Sequence, residues 1–259
     1  MALTRKDIED LALAKELLVS PSLAAKMTSL LGTPIEKGLD LLPAGWSGRL
    51  TKISHNVLHR ALDVAVTTLD ENGSHRSRNS LHRLFVAATG AGGGWFGLAA
   101  LPIELPISTT IMLRSIADIA RSEGESLKDI DARLACIEVF ALGGTSRSDD
   151  AADSGYFAVR AALAGAVSEA ARYIAQRGVA EEGAPVLVRL ITQIAARFNV
   201  VVTEKAAAQA IPVIGSAAGA AINVLFIDHF QDVARGHFIV LRLERRHGSE
   251  LVQAAYDML

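Results

Sequence analysis

A single cysteine, Cys136, leaves this 259-residue chain without an internal disulfide or a multi-cysteine zinc site. It falls in the apolar run LACIEVF, where a buried, inert thiol is the expected state. Aromatic residues make up only 5%, so the core has to be filled by aliphatic and small side chains. A surplus of either charge is missing too. The formal net charge of -2 offers no polycationic field, so nucleic acid is not an expected partner. No GxxxxGK[ST] loop is present to cradle phosphates, and no GxSxG elbow presents a serine. No serine or cysteine has a recognisable base partner, so catalytic residues stay unknown and enzyme status stays open. Alternating strand patterns bounded by turn dipeptides are lacking, although Asn199 to Val202 is β-branched enough to leave a short strand open. The opening MALTRKDIEDLALAKELL mixes acids and bases without an apolar h-region. A secretory signal is therefore not expected, and a cytoplasmic protein is.

What is present reads as helix almost throughout. Half of the residues are hydrophobic, enough to bury a substantial core. Thr4 can cap a first helix carrying Ile8, Leu11, Leu18 and Val19 on one face and ending at Pro21. A short helix runs to Gly32, and Thr33, Pro34 and Glu36 have the order of a helix start. Apolar residues recur at three and four from Ser47 to about Leu69, with Asn72 and Gly73 to close that helix. Further helices are expected from Pro106 to Gly124, from Asp129 to Leu142, from Tyr156 to Gln176, and from Ala184 to Phe198. The last three cover Val201 to Ala210, Ala217 to Arg246 and Leu251 to Met258. The polar run GGTSRSDDAADS between Gly143 and Ser154 reads as an exposed loop. The fold class is all-α, a multi-helix bundle with a central Gly/Ala-rich hydrophobic hairpin. Residues 1–80 form a variable amphipathic region and residues 81–259 a helical domain continuous with it.

Two stretches stand out, Leu84 to Ile103 and Ala206 to Ile227, each without an ionisable residue. Each approaches the roughly 20 residues a helix needs to cross a hydrocarbon core. Both are broken by proline, and glycines stand four apart at Gly90/Gly94, Gly93/Gly97 and Gly215/Gly219, a spacing that lets helix backbones pack closely. Gly92, Gly94 and Gly97 also satisfy GxGxxG, but no strand precedes them to aim backbone amides at a pyrophosphate. His55, His59 and Asp63 share a helix face without HExxH or a distant third ligand, so a polar face is expected and no metal or cofactor. Glu104 is the only ionisable group between Arg83 and Arg114. So isolated a carboxylate needs a cation, with Arg114 or Lys205 as candidates, a helix N-terminus or a raised pKa. Asn223 is similarly alone in GAAINVLF and needs hydrogen-bond partners.

The runs GAGGGWFGLAALPIELPISTTIMLRSIADIA, ACIEVFALGG, GYFAVRAAL and EKAAAQAIPVIGSAAGAAINVLFIDHFQDVARGHFIVLRLERRHG resemble the bacterial EcsC family. The resemblance spans about Leu81 to the carboxyl end. It implies a helical cytoplasmic protein of unestablished biochemistry, in a family named after a gene beside those of an ABC transporter. Some members carry a peptidase label, for which no residue basis is visible here. Glu104, Arg114, Tyr156, Arg160, Lys205, Gln209, Asn223, Arg242 and Glu244 fall on its family-like polar positions, none with an assigned catalytic role.

The function expected from these features is association with membrane lipid or an apolar ligand, peripherally at the inner face of the cell membrane. Gly90, Gly94, Trp95, Phe96, Gly97, Glu104, Arg114, Gly215, Gly219 and Asn223 are the candidate ligand- or membrane-facing residues. Arg76, Arg78 and Arg83, with Arg242, Arg245 and Arg246, are candidates for anionic headgroups. The alternatives are a hydrolase, built on Glu104 or the His55/His59 face, and a scaffold for a membrane transporter.

Overall fold

A computed structural model describes residues 3–19, 21–69, 97–144, 155–177, 184–211 and 216–259. Within them every regular element is helical, and ten α-helices pack together as an all-α bundle. They are α1 (Arg5–Val19), α2 (Leu23–Leu31), α3 (Ile35–Asp40), α4 (Trp46–Thr68) and α5 (Leu101–Ser122). The chain continues through α6 (Ile130–Leu142), α7 (Gly155–Arg177), α8 (Pro185–Ala210), α9 (Ser216–His247) and α10 (Ser249–Met258).

Local chemistry sets most of the helix ends. The Thr4 hydroxyl and amide both donate to Asp7 Oδ2, at 2.7 and 2.9 Å, and the Asp7 amide returns a bond to Thr4 Oγ1. This reciprocal box starts α1. The buried face of α1 is Asp7, Leu11 and Ala14, whereas Ile8 and Val19, expected on that face, are exposed. Thr33 does not cap α3. Pro34 occupies the N-cap, and the Ile35 amide is satisfied by Thr28 Oγ1. Asp129 takes the N-cap position of α6, but its side chain makes no capping bond.

Two boundaries differ from the sequence expectation for backbone reasons. Helix α5 begins at Leu101, not at Pro106. Pro102 sits in the first turn, where amides have no intrahelical acceptor. Pro106 then removes only the bond to the exposed Pro102, whose carbonyl water can satisfy. The two helices expected on either side of Asn199 are one continuous α8, and no strand forms there. Val201 and Val202 are buried in it, so burial outweighs the small helix-propensity cost of β-branching. Asn72, Gly73 and the 145–154 loop lie outside the described residues.

Helices α8 and α9 organise the bundle. α8 packs against α2, α3, α4, α6 and α7, while α9 packs against α1, α2, α5, α6 and α10. Between them lies α6, which is apolar on nearly every side and buries almost its whole length, as a helix without a polar face must. The few aromatics are concentrated where these three meet. Phe140 of α6 stands 5.2 Å from Phe198 of α8 and 5.4 Å from Phe230 of α9 between ring centroids, and Phe226 completes the cluster. Among the described helices α8 is also the one long and apolar enough to cross a membrane, and it is partly buried against the neighbouring helices of the bundle.

Candidate functional site

Glu104 lies in the first turn of α5 and is 4% exposed. Its cation is Lys205 of α8, with Nζ 2.6 Å from Oε1, and Gln209, one turn further, donates to Oε2 at 3.2 Å. Lys205 has no exposed surface and also lies over the Phe226 ring at 4.6 Å. Burial pulls its pKa down, and the Glu104 carboxylate opposes that pull. The cluster therefore pins the start of α5 to the end of α8. The two uncharged stretches meet here, since the turn at Gly97–Ala100 packs on α8 and α5 packs on α9.

The other candidates divide. Arg114 does not reach Glu104. It is exposed on the outer side of α5, beside an open groove of about 580 Å³ shared with Arg60 and Asp63 of α4. Asn223 is fully buried and engaged, and Gly219 is buried near the start of α9. Gly97 opens the 3-10 turn before α5. Gly90, Gly94, Trp95, Phe96 and Gly215 lie outside the described residues, as do Arg76, Arg78 and Arg83.

The carboxyl-terminal arginines each face a carboxylate, Arg245 and Arg246 from largely exposed positions. Arg242 bridges Asp10 at 2.7 Å and Glu123 at 2.9 Å, Arg245 pairs with Glu125, and Arg246 faces Asp7 at 3.8 Å. His59 and Asp63 approach to 3.7 Å, but among the described residues no three His, Cys, Asp or Glu side chains converge to hold a metal ion.

A second polar cluster joins α6, α7 and α9. Arg160 makes a two-pronged bond to Glu244, at 2.9 and 2.8 Å, and its guanidinium lies over the Tyr156 and Phe157 rings. The Tyr156 hydroxyl and His237 Nδ1 share a bond of 2.8 Å. Burial keeps His237 neutral and Tyr156 protonated. Beside them Glu138, 8% exposed, lines an open cleft of about 1230 Å³. Burial pushes its pKa up to about 7, with Arg160 opposing. Sequence reasoning passed over Glu138, although it is the only acidic or basic residue between Arg133 and Arg147, much the same signal that singled out Glu104.

These observations define a helical-bundle protein with one buried ion pair, Glu104–Lys205, and one partly buried pair, Arg160–Glu244, and with no group of three His, Cys, Asp or Glu placed to hold a metal ion among its described residues. The chain belongs to the EcsC protein family, which matches residues 19–243. That match takes in α2 to α4 as well as the stretches that carry the resemblance in sequence. Comparison with curated proteins and with solved structures gives no match.

Proposed function

We propose that this protein associates peripherally with membrane lipid through the outer face of α5 and the uncharged stretch that leads into it. The supporting observation is the exposure of Ile103 and Ile107, at 72% and 46%, on the helix whose adjoining side is fixed by Glu104 and Lys205. Two large aliphatic side chains one turn apart, next to a stretch without ionisable residues, form an apolar edge on a rigid support. Arg114 and Arg60 line the groove that Ile107 shares, together with Asp63, and offer positive charge to anionic headgroups. The described part of the second stretch is different. Ala206, Ala207, Ala208, Ile222, Phe226 and Ile227 are buried, so those residues are not offered to lipid.

The test is flotation of the purified protein with neutral and anionic vesicles at moderate and high salt. Flotation that survives high salt, and falls at least fivefold in an Ile103→Asp/Ile107→Asp variant with an unchanged helical spectrum, is expected. Full flotation of that variant removes α5 as the contact. No flotation of the wild type in any condition removes the lipid reading.

A further inference from the structure

We infer that the cleft between α6 and α7, closed at one end by α9 and α10, is a binding site for an organic cation with an apolar body, its ammonium group paired with Glu138. One wall of the cleft is a face of α7 from Phe157 to Ala175, where Ala161, Ala164, Val167 and Ala171 leave a shallow trough. At 1.5 Å per residue that wall is about 27 Å long. Small residues alone specify nothing, and the second observation is Glu138. It is more than nine-tenths buried, it lines the cleft, and it makes no hydrogen bond to any described residue. Its carboxyl oxygens are not sealed in the core but open to the cleft, and a ligand that brings N–H groups there supplies the donors that no described residue does.

Charge decides between a cation and an anion. Arg160 is the nearest cation to the carboxyl, but both its terminal nitrogens are committed to Glu244, and aromatic rings cover it. An anionic ligand would have to displace Glu244 and would then face two carboxylates. The other ionisable groups near Glu138 are Tyr156 from α7 and His237 from α9, and further along the cleft the lining carries Lys128, Asp129, Asp131 and Arg172. On the far sides of α6, Arg133 bonds to the Val66 carbonyl at the α4 side, and Arg197 of α8 bonds to the Ala141 carbonyl. With Glu138 ionised, the four carboxylates of the lining, Asp129, Asp131, Glu138 and Glu244, outnumber the cations Lys128, Arg160 and Arg172 by one, and the trough offers apolar surface to the rest of the ligand.

The experiment is an NMR-detected titration of the full chain with hexylamine, using hexanol and hexanoate as uncharged and anionic controls. Hexylamine stays protonated over the working range, so the pH dependence reports Glu138. With a carboxyl pKa of about 7, the ionised fraction rises from about a tenth at pH ~6 to about nine-tenths at pH ~8, and affinity rises about ninefold. Glu138→Gln, which keeps the side-chain shape, should lose that rise and bind at pH ~8 no more tightly than wild type does at pH ~6 or below. Ala161→Phe fills the trough from an exposed position and should abolish binding while the pH titration of Glu138 persists. Equal binding of hexanol, tighter binding of hexanoate, wild-type affinity in Glu138→Gln, or no hexylamine binding up to its solubility would each overturn the assignment.

Discussion

Burial moves His229 and Glu138 in opposite senses across neutrality, and the two should be separable by pH. His229 donates Nε2–H to the Gly143 carbonyl at 2.7 Å, and burial lowers its pKa from 6.5 to about 4. Between those values the unfolded chain holds the extra proton. The contribution is therefore complete above 6.5 and lost as pH falls towards 4. Urea unfolding at pH ~7 and pH ~5 should show a loss that shrinks by about 2 kcal/mol in His229→Gln. An identical loss in both proteins would place the acid sensitivity elsewhere. Glu138 is raised from 4.5 to about 7, so here it is the unfolded chain that gives up its proton first. Its contribution is complete below 4.5 and is lost as pH rises through 7. Glu138→Gln should accordingly stabilise the protein at pH ~8 by up to about 3 kcal/mol, the signature of a group kept at a cost in stability. The Glu104–Lys205 pair is a different case. Glu104→Ala leaves an uncompensated buried cation and should cost about 3–5 kcal/mol, while Glu104→Leu/Lys205→Met together should cost less than Glu104→Ala alone. A double variant worse than either single change would contradict that reading.

At the scale of elements, the close approach of α3 to α8 rests on one glycine. A Cβ added to Gly38 would sit 2.1 Å from the Ala207 carbonyl oxygen, which is backbone and cannot give way. Gly38→Ala should separate the helices and cost about 1–3 kcal/mol by thermal melting. Gly48 in α4 and Gly165 in α7 have open space around them. Gly48→Ala and Gly165→Ala should each stabilise by about 0.5–1 kcal/mol, because only backbone entropy changes. All three moving the same way would remove the steric explanation. The helices themselves were legible because their signals are local. Thr4 and Asp7, Gly124, Gly143 and the apolar periodicity of α4 act within one or two turns. The start of α5 was misread because a proline in the second turn is tolerated once an earlier proline has opened the helix, and the continuity of α8 because burial overrode a run of valines. Glu104 was legible as an isolated charge, but its choice of Lys205 over Arg114 was not. Which cation is inside depends on α8 crossing α5 more than a hundred residues away in the chain.

For the molecule as a whole, α1 and α10 raise the question of where the folding unit ends, since most of α1 and all of α10 lie outside residues 19–243. Both pack on α9, and their contacts are those of an integral part. Leu11 and Ala14 are fully buried, as are Val252 and Tyr256 on α10. Gly236 admits α1 so closely that an added Cβ would stand 2.7 Å from Leu18. Polar contacts close the same end. His247 Nε2 lies 3.1 Å from Asp7, Lys15 donates to the Tyr256 carbonyl, and Arg242 ties Asp10 of α1 to Glu123 just past α5. These pairs are buried or part-buried and tie the ends together, while the apolar interface of α1 on α9 supplies the non-directional part of the docking. Removing residues 1–20 would strip that interface from α9 and leave Asp7 and Asp10 absent from a cluster of basic residues. The truncated chain should melt well below the full one and bind a hydrophobic dye at temperatures where the full chain does not. It should also fail to be rescued by high salt, because the lost term is apolar burial. A truncated protein that melts with the full-length one would mean that the bundle is complete without α1, and that the contacts at this end are a cover laid over an already stable core.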